Sequence, residues 1–184
     1  MSRNLFKGRM LAQGILLVIS IPVSAQLYNP IDSVGSVRFT IKNFGLTVAG
    51  TLQGLRGEIF IDESDSEKSY FHVQVDAQTI DTGINLRNKH LKQADYFDTE
   101  KFPTILFRST KIVSATDWSQ VTGLLTIKGI TKPVTISFTT TGTQTKTFIG
   151  SFTINRQHFK VGGNSATMAD EVRIELTVRA HPVK

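Results

Sequence analysis

Few side chains in this sequence are of the types that catalyse reactions. The chain has four histidines and no cysteine, so it has neither a cysteine nucleophile nor a disulfide bond. It contains no nucleophile elbow, phosphate-binding P-loop, dinucleotide-binding glycine motif or HExxH zinc motif. No histidine has a partner at a spacing that marks a metal site, and no nucleophile stands beside a base, as a lipid hydrolase would need. We therefore expect a protein that is not an enzyme, with no catalytic residue, no metal ion and no cofactor.

Two short segments concentrate charge. Residues 62–67 hold four carboxylates, which fit either a calcium loop or a solvated hairpin, and the missing EF-hand glycine and distal glutamate favour the hairpin. Residues 87–92 hold three basic residues and a histidine, which fit either a site for an anionic head group or the solvated side of a helix. No aromatic residues alternate with these basic ones, so we do not expect nucleic-acid binding.

Alternation of apolar and polar residues dominates the rest of the chain. From Val172 to Val178, for example, every second residue is apolar and the residues between are polar. Successive side chains of a strand point to opposite faces, so this pattern predicts strands with one buried face and one solvated face. We predict eight strands, at residues 34–42, 46–62, 69–77, 104–113, 120–128, 132–141, 146–155 and 171–180.

The predicted strand 46–62 changes phase along its length. Its apolar residues occupy even positions as far as Leu52 and odd positions from Leu55 onward. A slip of one residue would turn every later apolar side chain toward solvent. We therefore expect a β-bulge near Gln53 and Gly54.

One segment departs from the strand pattern. Between Ile84 and Phe97 apolar residues recur at helical spacing, which predicts a short helix over residues 85–95, between the third and fourth predicted strands. Asp81 or Thr82 is of a type that caps the start of a helix.

Eight consecutive antiparallel strands fit either a sandwich or a closed barrel, and closure removes the exposed edges. An eight-stranded barrel is just wide enough to be filled by side chains or to hold one small ligand. Large and small residues mix on the apolar faces, and Gly50, Gly123 and Gly150 are among the small ones. These glycines indicate either room for a ligand or bends and close strand contacts.

The first 25 residues have the layout of a secretory signal peptide. Three basic residues precede an apolar run from Met10 to Val23, and small residues lead to Ala25. The run is shorter than the ~20 residues that span a bilayer, which argues against an uncleaved anchor. We expect cleavage after Ala25, one domain over residues 26–184, and export to the periplasm or outside the cell. The leader carries three of the six net positive charges, which leaves +3 on the domain.

Three blocks of sequence are familiar in combination. The first reads TGINLRNKHL at 82–91, ADYFD at 94–98 and KFPTILFRS at 101–109; the second reads GLLTIKGITKPV at 123–134; the third reads FTINR at 152–156. Together they closely resemble the YceI-like family, over the whole of residues 26–184. The resemblance implies a lipocalin-like eight-stranded barrel that is exported and binds polyisoprenoids, isoprenoid quinones or similar long-chain amphiphiles without catalysis. We also consider a transient contact with a membrane surface and the formation of a homodimer.

The chain departs from the family pattern at three places. Asn88 stands where the family often has aspartate, Gly35 and Ser36 stand for a His-Ser pair, and Asn43 stands for a histidine that closes the strand. Roles that depend on those histidines or on that aspartate are not carried over.

These observations lead to a hypothesis for the ligand site. Arg87, His90 and Arg156 are our candidates for contacts to a head group at the mouth, although Arg87 could pair with a carboxylate, His90 could pack on the helix and Arg156 could hold a turn. The apolar tail would lie in a channel lined by Phe39, Ile41, Phe71, Val73, Phe107, Leu125, Ile136, Phe138, Phe152 and Ile154.

The alternative is a filled barrel that serves as a protein-interaction or stress-response scaffold. An exposed apolar patch outside the barrel would support it, with Leu106, Leu124 and Ile149 as the residues to inspect.

Overall fold

The structure is a computed structural model that describes residues 25–115 and 117–183. In that part, strands form one antiparallel sheet, and a short helix, α1 (Asn85–Leu91), lies between β4 and β5. A 3₁₀ helix (Arg156–Phe159) lies between β8 and β9. The strands are β1 (Ala25–Ile31), β2 (Val37–Asn43), β3 (Leu46–Asp62), β4 (Tyr70–Asp81), β5 (Thr104–Ser114), β6 (Ser119–Ile127), β7 (Ile130–Thr141), β8 (Lys146–Asn155) and β9 (Met168–Pro182).

The sheet closes into a barrel. Each strand from β4 to β8 pairs with the next one in the chain, β9 pairs with β2, β2 pairs with β3, and β3 pairs with β4 to complete the ring. β1 and β2 lie end to end between β3 and β9: β2 pairs with the first part of β3, and β1 pairs with its last part. Together they occupy a single strand position in the barrel, so the nine strands form eight positions around it. The predicted eight-stranded antiparallel barrel is confirmed.

All eight predicted strands occur in the structure, and those over 46–62 and 146–155 have the predicted bounds. The prediction missed β1, so the number of separate strands was wrong. β1 is short and contains Pro30, which cannot donate a hydrogen bond to a neighbouring strand, and it has no clear alternation. The predicted signal peptide lies outside the described residues except for Ala25, which begins β1.

The predicted bulge in β3 is confirmed. The pairing of β3 with β4 shifts register between Thr51 and Gln53 and again between Gln53 and Arg56, and Gly54 has a φ of 74°. The carboxylate of Asp32 accepts hydrogen bonds from the backbone N–H groups of Gly54 (2.9 Å) and Leu55 (3.1 Å). The bulge keeps the apolar side chains on both sides of it inside the barrel.

The helix is shorter than predicted, and its cap is different. It ends at Leu91 rather than at residue 95, and turns continue the chain to β5. Ile84 precedes it without a side-chain cap, so the prediction of Asp81 or Thr82 as the cap was wrong. No residue of α1 is buried, and Leu86 is exposed rather than packed on the barrel. Neither helix in the described residues has the length and hydropathy needed to cross a bilayer.

The two ends of the barrel are built differently. One end, which we call the helix end, carries the β2–β3 turn, α1 with its flanking loops, the β6–β7 turn and the 3₁₀ helix. The opposite end carries the β3–β4, β5–β6 and β7–β8 hairpins. The acidic residues 62–67 lie in the first of these hairpins, where Asp62 accepts hydrogen bonds from Ser64 and Asp65.

Candidate functional site

The barrel encloses an apolar cavity of about 250 Å³. Inward side chains from β2 to β9 line it, because each strand presents every second residue to the interior. The ten residues proposed from sequence for the channel all lie on its wall: Phe39, Ile41, Phe71, Val73, Phe107, Leu125, Ile136, Phe138, Phe152 and Ile154. The wall also includes Leu52, Leu55, Ile59 and Val121, which the sequence-based channel proposal did not include.

Three phenylalanine rings pack together toward the opposite end. The ring centroids of Phe71, Phe138 and Phe148 lie 5.4 to 6.1 Å apart, and all three side chains are buried. The polar residues on the cavity wall include Asn43, Thr82 and Arg87, which lie at the helix end. We therefore take the helix end as the mouth of the cavity.

The inward glycines do not provide room for a ligand, so that interpretation was wrong. A Cβ atom on Gly123 would lie 2.6 Å from the ring of Phe107, and one on Gly150 would lie 2.9 Å from Cβ of Phe138. At Gly50 a Cβ would clash with the ring of Phe39, its partner across the β2–β3 pair. At Gly50 and Gly123 a phenyl group of the neighbouring strand occupies this space, as in the aromatic cover of strand glycines, and at Gly150 the backbone of β7 comes close. The cavity is the space left among the rings.

Arg87 stands at the mouth, half-buried and held by a neutral partner. Its Nε donates to Oγ1 of Thr82 and its Nη2 to the carbonyl of Thr82, both at 2.7 Å. Within the part of the chain that the structure describes, the guanidinium group has no ion pair with a carboxylate and Nη1 has no hydrogen-bond partner. The side chain is thus fixed in position while its charge stays available to an anionic or carbonyl group.

Asn88 organises the loop that carries Arg87. Its Oδ1 accepts from both the N–H and the hydroxyl of Thr82, and its Nδ2 donates to Asp81 at 2.7 Å. The backbone N–H of Gly83 and the Asn88 amide hold the pKa of the Asp81 carboxyl below its ordinary value of 3.8. Asn88, which stands where the family often has aspartate, therefore donates to Asp81, which an ionised aspartate could not do.

Asn43 is a mouth residue that the sequence-based proposal omitted. It ends β2 and lines the cavity, and its Oδ1 is buried without a hydrogen-bond partner among the described residues. A buried acceptor without a partner is costly, so one that faces a cavity is a place where a ligand donor would be stabilised. The signal was in the sequence, because Asn43 replaces the histidine that often closes this strand in the family.

The other two head-group candidates differ in position: His90 lies outside the main cavity, whereas Arg156 lies on its wall with every donor already bonded. His90 is exposed and packs edge-on against Tyr96, with ring centroids 4.7 Å apart, and it borders an open polar depression outside the main cavity. Arg156 is only 3% exposed and uses all five of its N–H donors. They bind the carbonyls of Ala169, Val161, Gly163 and Met168 and the carboxylate of Asp170. It therefore holds the turn around the 3₁₀ helix and has no donor left for a ligand.

The chain has counterparts among known proteins. Residues 28–180 match the family model of the YceI-like domain. The chain belongs to the YceI-like family. A UPF0312 protein of Vibrio parahaemolyticus is 32% identical to this YceI-like chain over 136 residues, which are 71% of this chain and 72% of that protein.

Solved structures agree with this membership. The crystal structure of Burkholderia cenocepacia BcnA matches the YceI-like chain with a TM-score of 0.73 and 28% identity, over 78% of this chain and 94% of that one. A polyisoprenoid binding domain from Saccharophagus degradans matches with a TM-score of 0.65 over 85% of this chain and 98% of that one, and at 10% identity it shows the fold alone.

Proposed function

We propose that this protein is a binding protein that holds the apolar tail of a long-chain amphiphile in the barrel, for transport, storage or stress protection. The observation that carries the proposal is a cavity inside a closed barrel whose wall is almost wholly apolar. The fold is shared with a polyisoprenoid binding domain, which supports a polyisoprenoid, an isoprenoid quinone or a fatty-acid derivative as the ligand class. The proposed role is binding without catalysis.

Burial of the tail would supply most of the affinity. Each Å² of apolar surface removed from water contributes roughly 25 cal/mol before the costs of ordering the ligand. The cavity volume of about 250 Å³ is slightly below the ~300–1,000 Å³ typical of small-molecule sites. A tail longer than the cavity would therefore extend through the mouth.

The mouth would select the head group. Arg87 offers a fixed positive charge with free N–H donors, and Asn43 offers a buried acceptor on the same cavity wall. A head group with both an acceptor oxygen and a donor hydroxyl or N–H would use both residues. His90 and Arg156 are not part of this proposed site, because one lies outside the cavity and the other has no free donor.

The proposed setting is outside the cytoplasm. The basic start, apolar run and small residues of the first 25 positions support export to the periplasm, with residues 26–184 as the mature domain.

Two adjacent leucines on β6 provide the test. Leu125 points into the cavity and is 6% exposed, whereas Leu124 points outward and is 43% exposed. Tryptophan at position 125 would occupy part of the cavity, and tryptophan at position 124 would not. We expect Leu125→Trp to lower the affinity for a fluorescent fatty acid or a short-chain quinone at least about tenfold, since it replaces buried tail surface.

Leu124→Trp is the matched control and should bind as the unmodified protein does. Circular dichroism of both variants establishes that the barrel is intact. Equal affinity in a folded Leu125→Trp variant would contradict binding inside the barrel.

The scaffold alternative has weaker support. Leu124 and Ile149 are exposed, but they neighbour Pro133 and Thr139 on β7, six residues apart. At ~3.3 Å per residue they are separated by about 20 Å, so they do not form one patch. Leu106 is only half-exposed.

A further inference from the structure

Four large apolar side chains are exposed at the mouth of the cavity. Phe44 and Leu46 lie in and beside the β2–β3 turn, and Ile84 and Leu86 lie at the start of α1. Each is between 52% and 79% exposed, and none of them lines the cavity. Such side chains have no role in the core, and their grouping at one end of a barrel marks an interaction surface.

The two segments that carry them lie at the same end. β3 pairs with β2 from Leu46 onward, but its pairing with β4 begins only at Thr51, opposite Asp81. The start of β3 thus projects beyond the end of β4, on the side where the chain continues into α1. We call residues 42–48 and 83–93 together the mouth rim.

The mouth rim is basic as well as apolar. It contains Lys42, Arg87, Lys89 and Lys92 and no aspartate or glutamate. The β3–β4 hairpin at the opposite end has the reverse charge: its residues 62–68 hold four carboxylates and one lysine. An anionic surface would therefore attract the mouth rim and repel the opposite end.

We propose that the mouth rim docks on an anionic phospholipid surface, with the four apolar side chains in the interfacial layer and the lysines among the head groups. Apolar side chains flanked by basic ones are the combination that binds membrane interfaces. The docked orientation places the cavity mouth against the bilayer, so an apolar tail could pass between the bilayer and the barrel without crossing water. That last step rests on the proposed function, whereas docking does not.

Vesicle co-sedimentation tests the docking. The exported protein should bind vesicles of phosphatidylglycerol and phosphatidylethanolamine, should bind phosphatidylcholine vesicles at least about tenfold more weakly, and should lose affinity as salt is raised. The variant Phe44→Ser/Leu46→Ser should bind the anionic vesicles about tenfold more weakly or worse. The control Val34→Ser/Ile149→Ser removes two exposed apolar residues that lie outside the mouth rim (79% and 47% exposed) and should bind as the unmodified protein does.

Brominated lipids give a second readout of orientation. Trp118 lies in the β5–β6 hairpin at the opposite end, half-exposed, so its fluorescence should not be quenched. A tryptophan introduced by Phe44→Trp should be quenched. Quenching of Trp118 in the unmodified protein would overturn the proposed orientation.

Three other results would overturn the proposal. The first is the absence of any binding to anionic vesicles, and the second is a control variant that loses as much vesicle affinity as Phe44→Ser/Leu46→Ser does. The third is self-association that Phe44→Ser/Leu46→Ser abolishes, which would assign the mouth rim to a second copy of this chain. Ligand uptake from detergent solution is measured on the same proteins. Docking without uptake would support the docking and contradict the carrier function. Uptake without docking would support the carrier function and contradict the docking.

Discussion

Replacement of Arg156 by methionine is expected to destabilise the barrel strongly. Methionine keeps much of the apolar stem but removes five hydrogen bonds, four to backbone carbonyls and one to Asp170. Gly163 is exposed, so water can replace the bond to its carbonyl. The carbonyls of Val161, Met168 and Ala169 belong to buried or half-buried residues and would be left poorly satisfied.

The size of the effect follows from these bonds. Three poorly solvated carbonyls at about 1 kcal/mol each give roughly 3 kcal/mol. The ion pair adds about 0–1 kcal/mol, because half of the Asp170 side chain is exposed (51%). The total of roughly 3–4 kcal/mol lies within the ~3–5 kcal/mol measured for removal of one partner of a buried pair.

Urea denaturation followed by far-ultraviolet circular dichroism measures this loss. The transition midpoint should fall with an unchanged slope, and Tm should fall by roughly 6–16 °C for a domain of this size. Asp170→Asn is the matched control, and its loss should be about 1 kcal/mol or less. A loss below about 1 kcal/mol for Arg156→Met would refute the structural role assigned to this arginine.

The remaining predictions concern the mouth and the barrel wall. Arg87→Met should weaken the binding of an anionic amphiphile about tenfold or more, because a hydrogen bond to a charged group contributes ~1.5–3 kcal/mol. The binding of the alcohol with the same tail should be unchanged. Equal losses of affinity for both ligands in a titration would contradict the head-group role. Gly123→Ala should cost about 1–3 kcal/mol in urea denaturation, because its Cβ would lie 2.5 Å from the carbonyl oxygen of Arg108 and 2.6 Å from the ring of Phe107; unchanged stability would show that the packing is looser than described. Because the pKa of Asp81 is lowered in the folded state, its carboxylate stabilises the α1 loop at pH values above the ordinary 3.8, and this contribution is lost as the pH falls through the lowered pKa. The Gly83 amide resonance should follow that titration below pH 3.8, and a midpoint at or above 3.8 would contradict the assignment.

The strands could be predicted because their burial is one-sided. Strands β3 and β8 have the predicted bounds, and in β3 the alternation with its phase change at Gln53 identifies which face is inside. β1 could not be found in this way, because it is stabilised by pairing with β3 and β9 rather than by its own pattern. The channel residues followed from the same alternation.

The mouth could be predicted only in part. Arg87 and Arg156 look equivalent in sequence, and only the three-dimensional contacts show that one has free donors while the other is fully bonded. The sequence left two interpretations of the glycines open, because the groups that fill their spaces come from neighbouring strands and the sequence does not show which residues are paired. Asn43 was noticed only as a departure from the family, and its unpaired oxygen is a property of the folded chain.

Native mass spectrometry of the protein purified from its own cell envelope, followed by organic extraction, tests the central claim most directly. We expect a bound species with the mass of a long-chain amphiphile, and we expect the Leu125→Trp variant to lack it while the Leu124→Trp variant retains it. A protein that carries no such species, and takes up no added isoprenoid quinone or fatty-acid derivative, would contradict the proposal that the barrel is a lipid-binding site.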